Sequence, residues 1–193
     1  MEWDEFSDTD PGSFEYWIGS VHYICGPKSG RYYEIDWRPQ DLRDCIDNEF
    51  DGDALAMVEH YFQQVAAVAA KGPSFLGHFD LVKKLNGKGE FFDEASPRYR
   101  EIALAGLRKA FEGCQMLEVN TGAISRGYRS DFFPADFLLE EWCKLGGKVI
   151  ITSDAHSSAN LTAEYEEAAA AVRAAGFTQV MVLTGNGFEP CDL

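Results

Sequence analysis

From residue 53 onward the chain alternates short apolar segments with stretches of helical length, and this alternation limits the possible folds more than any other feature. The sequence predicts strands at residues 74–78, 115–120, 148–153 and 178–184, and helices at residues 53–70, 96–112, 134–145 and 161–175. Asp53 and Ser96 stand where helix N-caps are expected, and Pro97 suits a first helical position. Strands that alternate with helices pair in parallel through right-handed crossovers. We therefore expect one α/β domain over residues 14–193, preceded by an acidic arm at residues 1–13.

Composition excludes several classes of protein. The chain has 193 residues and is 46% hydrophobic, which is enough for one domain with a sizeable core. Its formal charge of −15 argues against a nucleic-acid partner, because phosphate backbones need clustered Lys and Arg. No apolar run reaches membrane-spanning length, and the N-terminus lacks the basic region of a signal peptide. We expect a cytoplasmic protein with no membrane partner.

Three of the four histidines follow apolar segments that end abruptly, namely His22, His78 and His156. Asp154 stands two positions before His156, and imidazole with carboxylate suits Zn, Fe or Mn. The sequence therefore predicts His22, His78, Asp154 and His156 as metal ligands, with Asp154 and His156 as the catalytic residues. Taken singly, each could instead be a packed or capping residue. His60 lies off the apolar stripe of a predicted helix, and we expect it to be a surface residue without function.

Polar residues at the next strand end suggest a substrate-binding wall. Glu118 and Asn120 share one face of a predicted strand, either as part of a site or as a satisfied buried pair. Arg126 and Arg129 follow in a glycine-containing loop, where an arginine beside metal ions can clamp a phosphate. We predict Glu118, Asn120 and Arg126 as substrate-binding residues. For Arg129, a solvated loop charge is an equal alternative.

Four segments in order resemble the PHP family, and within it the histidinol-phosphate phosphatases. They are Ser20-Val21-His22-Tyr23-Ile24, Gly77-His78-Phe79-Asp80-Leu81-Val82-Lys83-Lys84, Leu117-Glu118-Val119-Asn120-Thr121 and Ser153-Asp154-Ala155-His156. The resemblance extends from about residue 14 to the C-terminus. It implies a distorted (β/α) barrel, a trinuclear centre of divalent metal ions, and hydrolysis of a small-molecule phosphate ester by a metal-bound hydroxide.

The resemblance also implies particular roles. His22 and His78 would bind one metal ion, Asp154 a second and His156 a third, while Asn120 and Arg126 would lie near the substrate phosphate. In this family the metal ions act as Lewis acids, generate the nucleophile and screen the phosphate oxygens.

The chain departs from the family pattern at its N-terminus. Family members begin with a His-x-His strand and supply a further His and a bridging Glu before the segment matched by His22. We therefore expect a partial barrel that lacks the first strands, with each metal ion short of ligands, for which Glu2, Asp4 or Glu15 could substitute. An open edge of this kind favours a homo-oligomer or completion by a missing N-terminal segment. Two alternatives remain open, a non-catalytic PHP-like module and a PHP phosphoesterase with another substrate.

Overall fold

A computed structural model describes residues 11–193, which form a mixed α/β fold around a mostly parallel sheet. The strands are β1 (Ile18–Gly19), β2 (Tyr23–Cys25), β3 (Tyr32–Glu34), β4 (Phe75–Leu76), β5 (Met116–Asn120), β6 (Lys148–Thr152), β7 (Gln179–Thr184) and β8 (Gly187–Asp192). The helices are α1 (Pro39–Glu49), α2 (Ala54–Ala69), α3 (Pro97–Phe111), α4 (Gly122–Ser125), α5 (Asp136–Lys144) and α6 (Tyr165–Ala174), with short 3-10 turns between some of them. Most of the predicted arm, residues 1–10, lies outside the described residues.

Six strands form the main sheet in the order β1-β4-β5-β6-β7-β8, and the first five of them are parallel. The predicted α/β class with parallel strands is therefore confirmed, while the barrel stays a prediction. β8 is a correction to the predicted pattern, because it returns antiparallel to β7 after a tight turn. Its Phe188 ring contacts Tyr16, with centroids 5.8 Å apart, and Phe75, at 5.9 Å. These aromatic contacts cover part of the sheet face that carries the apolar residues Phe75, Met116, Ile150 and Met181.

Two of the four predicted helix starts agree with the structure, and the other two lie a few residues too early. The Asp53 side chain accepts hydrogen bonds from the backbone N–H groups of Leu55 and Ala56, and the Ser96 side chain accepts one from Tyr99. The helix expected at Pro134 begins two residues later, and the helix expected at residue 161 begins at Tyr165. The two starts that a capping side chain marked are thus correct, and Pro97 lies in the first turn of its helix as expected.

The region between residues 26 and 52, for which the sequence predicted no helix or strand, contains β3 and α1. The buried residues of α1 recur at helical spacing, and they are Leu42, Cys45, Ile46 and Glu49. The last of them, Glu49, carries a carboxylate where an apolar side chain would be expected. Glu49 tolerates burial because its carboxylate accepts hydrogen bonds from Lys28 N at 2.8 Å, Ser29 Oγ at 2.5 Å and Tyr33 Oη at 3.0 Å. The polar composition of the segment hid the helix, since one of its core-facing positions is charged.

The core lies between the sheet and its helices. Leu117 and Val119 of β5 face a continuous buried cluster that includes Phe62, Leu107 and Trp142 from α2, α3 and α5. Gly106 allows α3 to approach α2 closely, since a Cβ atom there would lie 2.5 Å from the Cβ of Phe62. On the other face of the sheet, a smaller apolar cluster is formed by Phe75, Met116, Ile150 and Met181. Successive residues of β5 thus point to opposite faces of the sheet: Leu117 and Val119 face the helices, and Glu118 and Asn120 lie on the other face.

Candidate functional site

The carboxyl ends of the parallel strands surround a cavity of about 500 Å³. Because parallel strands present their carboxyl ends at one edge of the sheet, side chains distant in sequence meet there. Six of the seven predicted site residues line the cavity, namely His22, His78, Asn120, Arg126, Asp154 and His156. Glu118 lies one position inside β5 and is buried. The sequence therefore predicted the location of this cavity, while the roles of its residues stay predictions.

His22 and His78 form a close pair at one wall of the cavity. Their ring centroids are 4.9 Å apart at an interplanar angle of 82°. His78 Nδ1 is buried, and among residues 11–193 it has no hydrogen-bond partner. Burial, together with the neighbouring His22, lowers the pKa of His78 to about 4. At neutral pH His78 is thus an uncharged imidazole beside a second imidazole.

The backbone at His78 adopts an unusual conformation that follows from its place at a strand end. Its φ of 47° lies in the left-handed region, which non-glycine residues seldom occupy. The preceding Gly77 has no side chain, and a Cβ atom there would collide with the Ser20 hydroxyl. Gly77 therefore allows a close approach between the end of β4 and the segment that follows β1.

Asp36 and Lys84 also line the cavity, and the sequence analysis did not select them. Asp36 Oδ2 lies 3.4 Å from His22 Nδ1 and accepts a hydrogen bond from Lys84 Nζ at 3.3 Å. Burial opposes ionisation of Asp36, but His22 and Lys84 outweigh it and lower the pKa of Asp36. Lys84 belongs to the segment of residues 77–84, which resembles the PHP family, and this resemblance was the one sequence signal that could have identified Lys84 as a cavity residue. Asp36 follows β3, outside the main sheet, and no strand-end pattern pointed to it.

Arg126 is bound to the two predicted catalytic residues. Its Nη1 donates to the backbone carbonyl of Asp154 at 2.6 Å, and its Nη2 donates to Asp154 Oδ2 at 3.2 Å. His156 Nδ1 lies 3.0 Å from Arg126 Nη1 and 2.8 Å from the same carbonyl oxygen. Asp154 has a φ of 44°, so it shares the left-handed conformation seen at His78. Two of the predicted ligands thus occupy strained backbone positions, one after β4 and one after β6, on either side of β5 in the sheet.

Glu118 and Asn120 form the satisfied buried pair that was one of the two alternatives. Asn120 Nδ2 donates to Glu118 Oε2 at 3.0 Å, and Asn120 Oδ1 accepts from Gly122 N at 2.9 Å. Thr152 Oγ1 donates to the second oxygen, Glu118 Oε1, at 2.5 Å. Burial raises the pKa of Glu118 to about 7, although the Thr152 and Asn120 hydrogen bonds oppose that rise. Both ends of the Asn120 amide are therefore engaged, and Glu118 lies beneath the cavity wall.

Arg129 is not a solvated loop charge. Its guanidinium donates to both carboxylate oxygens of Glu94, at 3.0 and 2.8 Å, and Nε donates to Asp131 Oδ1 at 2.9 Å. Burial opposes the charge, but Glu94 and Asp131 together raise the pKa of Arg129. The guanidinium of Arg129 is thus paired with carboxylates outside the cavity, and it holds the loop that follows Tyr128 in place.

His60 is half-buried, contrary to the expectation that it is a surface residue. Its Nε2 lies 3.0 Å from the backbone carbonyl of Cys25, which can only accept, so Nε2 must carry the proton. The ring also contacts Phe50, with centroids 5.6 Å apart. His60 therefore connects α2 to β2 and lies apart from the residues that line the cavity.

The described residues do not fit the trinuclear metal centre that the resemblance implies. Within residues 11–193 no group of three His, Cys, Asp or Glu side chains is arranged to hold a metal ion. A catalytic zinc usually has three protein ligands, whereas the His22–His78 pair supplies two imidazoles and Arg126 occupies the side of Asp154 and His156. Of the suggested substitutes, Glu15 is exposed and not among the cavity residues, and Glu2 and Asp4 lie outside the described residues.

Comparisons with known proteins show a likeness to solved structures and none at the level of sequence families. No protein-family model matches the chain, and no curated protein matches it. Among solved structures it is similar to a candidate histidinol phosphatase, hisK from Listeria monocytogenes, with a TM-score of 0.68 and 17% sequence identity. The alignment covers 84% of this chain and 61% of that chain, so this chain spans less than two thirds of its neighbour. At this identity the likeness shows a shared α/β fold. In the part of the chain that the structure describes, no helix has the length and apolar character needed to cross a bilayer.

Proposed function

We propose that this chain provides the phosphate-binding cavity of a phosphomonoester hydrolase of the PHP type, and histidinol phosphate is the first substrate to test. The reaction would convert the ester and water into an alcohol and inorganic phosphate. One observation carries the proposal: side chains that follow β1, β4, β5 and β6 converge on a single cavity of about 500 Å³. The fold likeness to a candidate histidinol phosphatase supports the same assignment.

Two cations of the cavity are suited to binding a phosphate ester. Arg126 and Lys84 bring positive charge to one place in a chain whose formal charge is −15. Each is held by a carboxylate, Arg126 by Asp154 and Lys84 by Asp36. A phosphate that enters the cavity would therefore compete with these carboxylates for the same donors. Asn120 and Glu118 would shape the wall beneath the phosphate.

Hydrolysis of the PHP type needs divalent metal ions, Zn, Mn or Fe, and we propose His22, His78, Asp154 and His156 as ligands for them. The described residues supply these donors singly or in pairs, so complete metal sites require ligands from outside residues 11–193. Candidate sources are the acidic residues 1–10, a further N-terminal segment, or a second copy of the chain in a homo-oligomer.

The experiment measures phosphate release from histidinol phosphate with added Mn, Zn or Fe, over a wide range of chain concentration and with an added His-x-His segment. We expect metal-dependent turnover that His78→Ala or Asp154→Ala abolishes. His60→Ala is the matched control, since it removes a histidine that does not line the cavity, and it should retain turnover after correction for folded protein. Absence of phosphate release under every condition would contradict the proposal.

A second candidate function is a non-catalytic module that binds an anion without hydrolysing it. It is favoured by the lack of a three-ligand group among the described residues and by the pairing of Arg126 with Asp154. Calorimetry with inorganic phosphate distinguishes the two candidates, because this module would bind phosphate and release none from an ester. A third candidate, a phosphoesterase with another substrate, predicts that Arg126→Ala impairs hydrolysis of that ester more than hydrolysis of a neutral ester.

A further inference from the structure

The guanidinium of Arg126 occupies a defined position against Asp154 and His156. It donates two hydrogen bonds to Asp154, one to the main chain and one to the carboxylate, and its Nη1 lies 3.0 Å from His156 Nδ1. A guanidinium has donors and no acceptor, so it presents positive charge to both side chains. The Arg126 side chain is 23% exposed and that of Asp154 is 38% exposed, so solvent screens the pair only in part.

The backbone opposite Arg126 leaves room for this arrangement. A Cβ atom at Gly122 would lie 2.8 Å from Arg126 Nη2 and 3.0 Å from Nη1, closer than side chains normally approach. The same Cβ would lie 2.7 Å from the carbonyl oxygen of Ser153, beside Asp154. Gly122 therefore creates the space into which the guanidinium fits, which indicates a specific docking position and not an incidental surface contact.

A divalent cation at this position would need the same groups. It would have to approach the Asp154 carboxylate and the His156 ring, where Arg126 already places one positive charge. Two cations that share one carboxylate repel each other, and the repulsion is strong where solvent screening is incomplete. A metal ion that binds Asp154 and His156 is therefore opposed by the docked guanidinium of Arg126.

We propose that Arg126 is the resident cation of the Asp154–His156 pair, so that docking of its guanidinium and binding of a divalent metal ion there exclude each other. Arg126 is then a negative determinant of metal affinity. It disfavours the metal ion at Asp154 until an anionic ligand draws the guanidinium away. This property concerns metal binding alone and holds whether or not the chain hydrolyses an ester.

The test is Mn²⁺ binding to the full chain at neutral pH, followed through the electron paramagnetic resonance signal of free Mn²⁺ and without any substrate. We expect Arg126→Ala to bind Mn²⁺ at least about tenfold more tightly than the unaltered chain, because one repelling charge is removed. Arg43→Ala is the matched control: it also removes an arginine that is paired with a carboxylate, Glu90, but one that lies away from the cavity, and it leaves Arg126 on Asp154. Its affinity should stay within about threefold of the unaltered chain.

Two further variants separate this effect from misfolding. Arg126→Gln keeps most of the side-chain length and should reproduce the gain if Arg126→Ala folds poorly, as judged by thermal melting. Adding Asp154→Ala to either variant should cancel the gain, because the carboxylate that the metal ion gains is then absent. Equal or weaker Mn²⁺ affinity in the folded Arg126 variants, including no binding to any form, overturns the proposal. An equal gain in Arg43→Ala also overturns it.

Discussion

A buried lysine next to the cavity gives a sharp prediction about stability. Lys83 Nζ is fully enclosed and donates to Asp80 Oδ2 at 2.9 Å, Asp131 Oδ2 at 2.7 Å and the Phe132 carbonyl at 3.1 Å. The Asp80 side chain is fully buried as well. Its Oδ2 also accepts from Ala135 N, whereas its Oδ1 has no hydrogen-bond partner within residues 11–193. The charge of Asp80 therefore depends mainly on Lys83.

We expect Lys83→Met to lower the free energy of unfolding by about 3–5 kcal/mol, the usual cost of leaving a buried charge without its partner. Asp131 contributes little to this loss, since it is partly exposed and keeps its hydrogen bond from Arg129 Nε at 2.9 Å. The free energy of unfolding of a typical domain is about 5–15 kcal/mol in total, so the variant should be only marginally folded. The loss should also loosen residues 131–133, which bring Phe133 to the cavity wall.

The measurement is urea unfolding at neutral pH followed by tryptophan fluorescence. Lys109→Met is the matched control, because Lys109 also pairs with a carboxylate three residues away, Glu112, but on the surface. Lys109→Met should lower the free energy of unfolding by about 0.5 kcal/mol or less. The double variant Asp80→Asn/Lys83→Met should lose less than the sum of the single variants, since neither charge is left unpaired. A loss below about 1 kcal/mol for Lys83→Met, or additive losses in the double variant, would refute the argument from burial.

Two further predictions concern packing and pH. Gly106→Ala should destabilise the protein by about 1–3 kcal/mol in urea unfolding, because the new methyl group overlaps Phe62, whereas Gly87→Ala enters open space and should be nearly neutral. The pKa of Glu49 is lowered from 4.5 to about 2, with the Ser29 hydrogen bond as the largest cause. Its stabilisation is therefore complete above about pH 4.5 and disappears as the pH falls toward 2, so the difference in melting temperature between the unaltered chain and Glu49→Gln should shrink from pH 7 to pH 3. A difference that stays constant over that range would contradict the assignment.

Local patterns in the sequence were sufficient for the main architecture. Alternating apolar and helical segments predicted the parallel strands, and Asp53 and Ser96 predicted the starts of two helices. The location of the cavity also followed, because residues at the carboxyl ends of parallel strands must share one edge of the sheet. These features depend on periodicity and on neighbours within a few positions, which a sequence displays directly.

Local sequence patterns could not predict contacts between residues that are far apart in the chain. Arg126 and Asp154 are 28 positions apart, and Lys83 and Asp131 are 48 apart, so no spacing in the sequence indicated either pairing. The same holds for Glu49, whose buried carboxylate made an amphipathic helix look polar. The sequence indicated several of the chemical groups that reach the cavity, but not Asp36 or Lys84. Only the tertiary structure decided which of them are already paired, because charge pairing depends on distances of a few ångströms between segments that the chain order leaves undefined.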